Sequence, residues 1–211
     1  MAILVPKVFH RIWLGSHMPD RFGEWGKTWL ARHFGWEMKL WTEKNLPPSR
    51  YPDLIEKCRY YSARANLYRL EILLREGGVY IDTDFECLRN IEPLIDDRKA
   101  FAAYQLHEID RAGSVNNAFI GTVPDQPFVR EALDRFPDYF DPELSVKCGS
   151  WLLTDVTRRH PEVTLFPKMY FYPFVWEEVP GFPEDYPEAY AIHYWSKMWL
   201  PQSKEKISDG S

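Results

Sequence analysis

The stretch Gly77-Gly78-Val79-Tyr80-Ile81-Asp82-Thr83-Asp84 constrains this chain most. A helix-like run from Tyr61 to Glu76 precedes it. Its apolar positions Ala63, Leu67, Leu70 and Leu74 recur at i, i+4, i+7 and i+11, which is one face of a helix. Ser62, Asn66 and Arg69 fall on a neighbouring polar stripe. Gly77 suits a left-handed cap, and Gly78 lets the chain turn straight into a short apolar strand. Extended residues alternate between faces, so Asp82 and Asp84 are expected to look the same way, about 6.5 to 7 Å apart. Two carboxylates at the exit of a buried strand repel each other unless a cation or a set of donors lies between them. A divalent ion carrying a diphosphate supplies that compensation. An Asp capping the following turn, with the other in solvent, is the alternative, and spacing alone does not separate the two.

Strand-like and helix-like stretches alternate along the rest of the chain, which predicts an α/β domain with a mainly parallel, mixed sheet flanked by helices. Val8 to Leu14 reads as a first strand, Asp20 to Phe34 as a helix, and Trp36 to Trp41 as a second strand. Leu46-Pro47-Pro48 breaks the pattern before a short helix at Tyr51 to Arg59. Further strands are expected at Ala100 to Tyr104, Asn116 to Ile120, Val163 to Phe166 and Ala191 to Tyr194. Pro127 to Phe136 and Gly149 to Arg159 have helical character. Residues 1–200 read as a single domain and 201–211 as a polar, frayed tail. Open α/β sheets bind ligands outside the carboxyl ends of their strands, which is where Asp82 and Asp84 fall.

Composition narrows the partners. A length of 211 residues suffices for a real core, and 45% hydrophobic with 27% charged residues is ordinary for a soluble globular domain. The formal charge of −5 lacks the basic footprint that phosphate backbones require, so nucleic acid is not an expected partner. Cys58, Cys87 and Cys148 are odd in number and lack zinc-like spacing, which suits reduced thiols. Met1 to Pro6 is too short for a signal peptide, and no apolar run approaches the ~18 residues of a spanning helix, so the expected location is cytoplasmic.

Five blocks together carry a family resemblance: Pro6 to Gly15, Ala65 to Leu73, Gly77 to Asp84, Asn116 to Ile120, and Ile192-His193-Tyr194-Trp195. In this order they resemble glycosyltransferase family 32, whose sugar-binding region contains a DXD motif. That family includes mannosyl-, α-1,4-galactosyl- and bacterial capsule transferases, and the clostridial toxin glucosyltransferases are structural relatives. The resemblance implies a GT-A-like nucleotide-sugar-binding fold with one continuous sheet. It also implies a metal-dependent, retaining sugar transfer from a UDP- or GDP-sugar to a glycan, lipid-linked or protein acceptor, with bacterial surface polysaccharide as the expected setting.

The same resemblance suggests roles for particular residues. Asp84 is carried over as the direct metal ligand, with Asp82 beside it and His193 as a third. One imidazole among oxygen ligands favours Mn²⁺ over Mg²⁺. Arg69 and Asn66 stand where relatives point an Arg and, more commonly, an Asp at the donor sugar. Asn66 departs from that Asp and loses a charge-assisted contact. Trp13 resembles the position that stacks on the nucleobase, with a core Trp as the alternative. Tyr80 and Trp195 are candidates for the donor wall, together with Trp199. Asn116 or Asn117 falls where relatives place a polar residue beside the anomeric carbon, and the choice stays open. Acceptor contacts are expected from Leu106 to Val115 and Phe171 to Tyr190. A catalytically weak module of the same fold is the rival function. A two-metal phosphohydrolase would need a further ligand cluster that the sequence lacks.

Overall fold

The computed structural model describes residues 4–106 and 113–196. In chain order the elements are β1 (Val8–Ile12), α1 (Asp20–Arg32), β2 (Glu37–Trp41), α2 (Pro52–Lys57), α3 (Tyr61–Glu76), β3 (Gly78–Ile81), β4 (Phe85–Cys87) and α4 (Glu92–Ile95). They continue with β5 (Ala100–Leu106), β6 (Ser114–Thr122), α5 (Pro127–Tyr139), α6 (Leu152–Arg159), β7 (Thr164–Phe166), α7 (Lys168–Phe171) and β8 (Ala191–His193). Trp199, the 201–211 tail and part of the expected acceptor segment, 107–112, lie outside the described residues.

Six strands form one sheet in the order β2-β1-β3-β6-β5-β7. The β1–β2, β1–β3 and β5–β7 pairs are parallel, whereas β6 runs antiparallel to both β3 and β5. The sheet is therefore mixed, as expected, and helices cover both faces. Period-two alternation distributes β3 between them: Val79 and Ile81 join the core that contains Trp29, Phe85 and Phe119, while Tyr80 faces the core beneath α3, α5 and α6. One addition was not expected. β4 and β8 leave the main sheet and pair antiparallel as a two-stranded ribbon, with Phe85 opposite His193.

The predicted α3 stripes are present. Ala63, Leu67 and Leu70 are buried in the core, and Asn66 and Arg69 are buried beside them on the polar stripe. Gly77 has a φ of +64° and its N–H closes the helix on the Leu73 carbonyl at 2.9 Å. A side chain there would press on the backbone of Pro124 and Thr122, so the reversal from α3 into β3 depends on glycine.

Candidate metal and donor site

Strand β3 ends at Ile81, and Asp82-Thr83-Asp84 forms a tight turn into β4, with the Phe85 N–H bonded to the Asp82 carbonyl. The two carboxylates converge, but through this turn rather than through strand alternation, because the chain leaves the sheet at Asp82. Ligand atoms of Asp82, Asp84 and His193 all lie within 4.8 Å of one another. His193 Nε2 stands 3.0 Å from Asp84 Oδ1 and 3.9 Å from Asp82 Oδ2. The pairing of β4 with β8 brings the imidazole to the turn, and the Tyr194 N–H bonded to the Asp84 carbonyl locks it there.

Each ligand is oriented by its own surroundings. Asp84 is buried and accepts the Ser196 backbone N–H on Oδ2 at 2.8 Å. Burial opposes its ionisation, but the His193 imidazole and the Ser196 hydrogen bonds outweigh burial and hold the carboxyl well below the usual range. The Asp82 side chain is 29% exposed and forms the open side of the cluster. Its Oδ1 accepts from the Tyr80 hydroxyl at 2.8 Å and from Arg69 Nη2 at 3.1 Å. Burial lifts the Tyr80 hydroxyl well above its ordinary pKa, so it remains a donor. The His193 ring is boxed by Phe85 at 4.8 Å, Tyr172 at 5.6 Å and Trp195 at 4.3 Å. Two carboxylates and one imidazole at this spacing fit a single divalent ion of the Mn²⁺ or Mg²⁺ kind.

A chain of buried polar groups leads away from the cluster. The Arg69 guanidinium lies 4.3 Å over the Tyr80 ring and donates to the Asn117 carbonyl. Asn117 Nδ2 donates to Asn66 Oδ1 at 2.8 Å, and Asn66 Nδ2 donates to the Ser145 carbonyl at 2.9 Å. Asn66, Arg69 and Asn117 thus come together behind Asp82. Asn116 points elsewhere, bonding Gln105 and the Ala118 N–H. Of the two asparagines, Asn117 is the one connected to the acidic pair.

Trp13 follows the end of β1, half-buried, with its indole N–H on the Ser16 carbonyl at 2.7 Å and its ring 5.3 Å from Phe22. Trp195 holds a φ of +48°, rare for a bulky residue, and donates its indole N–H to the Phe174 carbonyl at 3.1 Å. That backbone conformation aims the neighbouring Ser196 N–H at Asp84.

Sequence reasoning missed two supports. Arg11 is 3% exposed and reaches from β1 to the Thr83 carbonyl and, at 2.7 Å, to the Phe22 carbonyl. Burial pushes its pKa down to about 10, yet Tyr80, Asp84 and Asp82 favour its charge. Its signal was a charged residue in a short strand whose other positions, His10 apart, are apolar. Gly149 is the second. It lies in the π-helical turn Lys147–Trp151 with non-helical angles, where a Cβ would come within 2.9 Å of Asn66 and 3.0 Å of Asn117. Cys58, Cys87 and Cys148 are free and buried, as their spacing implied.

The architecture matches solved glycosyltransferases. The PaToxG glycosyltransferase superposes with a TM-score of 0.57 at 13% identity, covering 74% of this chain and 70% of that one. A glycosyltransferase involved in glycosylation of the major capsid of PBCV-1 gives 0.51 at 10% identity, covering 89% and 93%. The fold is that of the GT-A glycosyltransferases. Residues 19–101 match the family model for the glycosyltransferase sugar-binding region containing a DXD motif, and residues 122–211 match the α-1,4-glycosyltransferase conserved region. Over these two stretches the chain is similar to DXD-containing glycosyltransferases.

Among curated relatives, a mannosyl phosphorylinositol ceramide synthase of Saccharomyces cerevisiae is 33% identical over 142 residues, 64% of this chain. The chain spans only 36% of that relative's length. A glycosyltransferase of Acanthamoeba polyphaga mimivirus is 23% identical, covering 95% of this chain and 86% of its own length. A lactosylceramide 4-alpha-galactosyltransferase of Gorilla gorilla gorilla is 27% identical over 61% of this chain and 43% of its own. Among the described residues no helix is long and apolar enough to cross a membrane.

Proposed function

We propose that this chain transfers a hexosyl unit from a UDP- or GDP-sugar to a glycoconjugate acceptor, with retention of anomeric configuration and with Mn²⁺ or Mg²⁺ bound by Asp82, Asp84 and His193. The observation that carries the reading is the convergence of three ligand atoms within 4.8 Å beside a buried Arg69. When bound, the ion neutralises charge that grows on the departing diphosphate. The chain's own groups do the rest. Asp82, on the open side, meets the donor, while the Tyr80 hydroxyl and Arg69 hold its carboxylate in one orientation. Arg69 adds a fixed positive charge at low dielectric, where it acts on a developing anion without reorganising. Asn117, held by Asn66, accepts Arg69 on its carbonyl and so steadies the guanidinium behind Asp82, and the Trp13 face takes the base. Among the described residues no further carboxylate joins this group, which favours transfer on one face of the sugar.

The curated relatives' names favour a lipid-borne head group as acceptor over the surface polysaccharide expected from sequence. A panel of UDP- and GDP-sugars with Mn²⁺, scored for nucleoside diphosphate release, tests the reading. Release should vanish in Asp84→Ala and on chelation. Donor affinity indifferent to chelators removes the metal, and a β-linked product by NMR removes retention.

A further inference from the structure

Behind the acidic pair, the buried polar chain borders a small cavity. Its polar wall is Asn66, Arg69 and Asn117, and its apolar wall includes Leu70, Leu152 and Leu153. All of these are buried except Asn117, which is half-buried. Gly149 also lines the space and leaves it open. A Cβ there would lie 2.9 Å from Asn66 Nδ2, 3.0 Å from Asn117 Nδ2 and 3.3 Å from Asn117 Oδ1, so three amide atoms converge where a side chain would otherwise stand. The cavity volume is about 10 Å³, which is the room that one water molecule needs.

The hydrogen-bond inventory leaves partners for that molecule. Asn66 is saturated: its oxygen accepts from Asn117, and its nitrogen donates to the Ser145 carbonyl and, at 3.7 Å, to Cys148 Sγ. Asn117 is not. Its amide gives one of two N–H groups to Asn66, and among the described residues nothing donates to its Oδ1. Arg69 engages the Ala65 and Asn117 carbonyls and Asp82, which is three of the five N–H groups of a guanidinium. A spare acceptor and spare donors therefore border the same space, and water serves both. Size and charge remove the alternatives. A cation would face Arg69, whose charge Asp82 already balances against an anion, and a larger molecule would meet the leucines.

We propose that this cavity holds one internal water, donating to Asn117 Oδ1 and accepting from the Arg69 guanidinium, and that residue 149 is glycine to leave room for it. The water closes the link between the Asn117 side chain and the guanidinium that holds Asp82. Its site depends neither on metal binding nor on sugar transfer.

Two measurements on the whole chain, without metal or nucleotide, test the site. A high-resolution crystal structure should show a single isolated density peak within hydrogen-bonding distance of Asn117 Oδ1 and Arg69, and crystals grown with bromide in place of chloride should show no anomalous signal there. In solution, water-deuteron relaxation dispersion should count about one long-lived water fewer in Gly149→Ala than in the parent chain. Because that change also presses on Asn66 and Asn117, Ala132→Val, which enters the same cavity from α5, should remove the same water on its own. No peak in the parent, a bromide signal at the site, or unchanged dispersion in either folded variant would each overturn the proposal. Should a variant unfold, the density in the parent decides. None of these outcomes bears on donor turnover.

Discussion

Arg11 holds the carbonyl of Thr83, the residue between the two aspartates, from beneath the turn. Gly26 of α1 makes the room, since a Cβ there would lie 2.1 Å from Arg11 Nη1. Helix propensity alone favours Ala over Gly by about 1 kcal/mol. Gly26→Ala should instead destabilise the protein by about 1–3 kcal/mol through overpacking and weaken Mn²⁺ binding. Urea unfolding and a manganese titration read the two effects. A more stable variant with unchanged metal affinity would remove Arg11 from the site's supports.

Tyr80 contributes one hydrogen bond to Asp82 and nothing to the open face. Tyr80→Phe should leave the fold in place and raise the Mn²⁺ dissociation constant by about tenfold, the low end of what an outer-shell partner is worth. Calorimetric titration of the variant against the parent chain decides it. Equal affinities would mean that Arg69 alone orients Asp82.

Asn66 stands where the resemblance expects an aspartate, and its bonding explains the amide. Its oxygen accepts from Asn117 and its nitrogen donates to the Ser145 carbonyl. A carboxylate could satisfy the first but would face a carbonyl at the second. Asn66→Asp should therefore destabilise by about 1–3 kcal/mol at neutral pH, and less in acid, where the carboxyl can protonate and donate. Stability that is unchanged at neutral pH would contradict this account.

His10 makes stability pH-dependent. Its Nε2–H donates to the Gly77 carbonyl at 2.9 Å, and its Nδ1 accepts from the Trp41 indole at 3.1 Å. Burial, only partly opposed by Glu76, lowers its pKa from 6.5 to about 4. The unfolded chain therefore takes up the proton first, and stability is full above the unfolded value and drains as pH falls toward the folded one. Going from about pH 7 to about pH 5 should cost about 2 kcal/mol from this residue. Denaturation curves of His10→Asn should show a slope flatter by that amount, and an unchanged slope would exclude His10 as the source.

The periodic elements were legible before any coordinates. The two stripes of α3, the Gly77 reversal and the apolar β3 are local properties of neighbouring residues, and local sequence encodes them. β4 was not legible, since three residues are too few to display alternation. Its partner β8 lies 108 positions further on, with Phe85 opposite His193, and no local pattern announces that pairing. The acidic pair and His193 could be named from sequence, but the turn that joins them could not, because it depends on the chain leaving the sheet at Asp82. The Gly149 turn was hidden for a similar reason: the helical stretch expected from sequence begins at Gly149 itself, and only the crowding against Asn66 and Asn117 shows why glycine is needed.

The ribbon of β4 with β8 has a consequence for biosynthesis. Asp82 and Asp84 leave the ribosome long before the imidazole that comes to stand beside them. A nascent chain can shape most of its main sheet while this candidate cluster still lacks its histidine. The cluster is therefore completed late, with the docking of one three-residue strand.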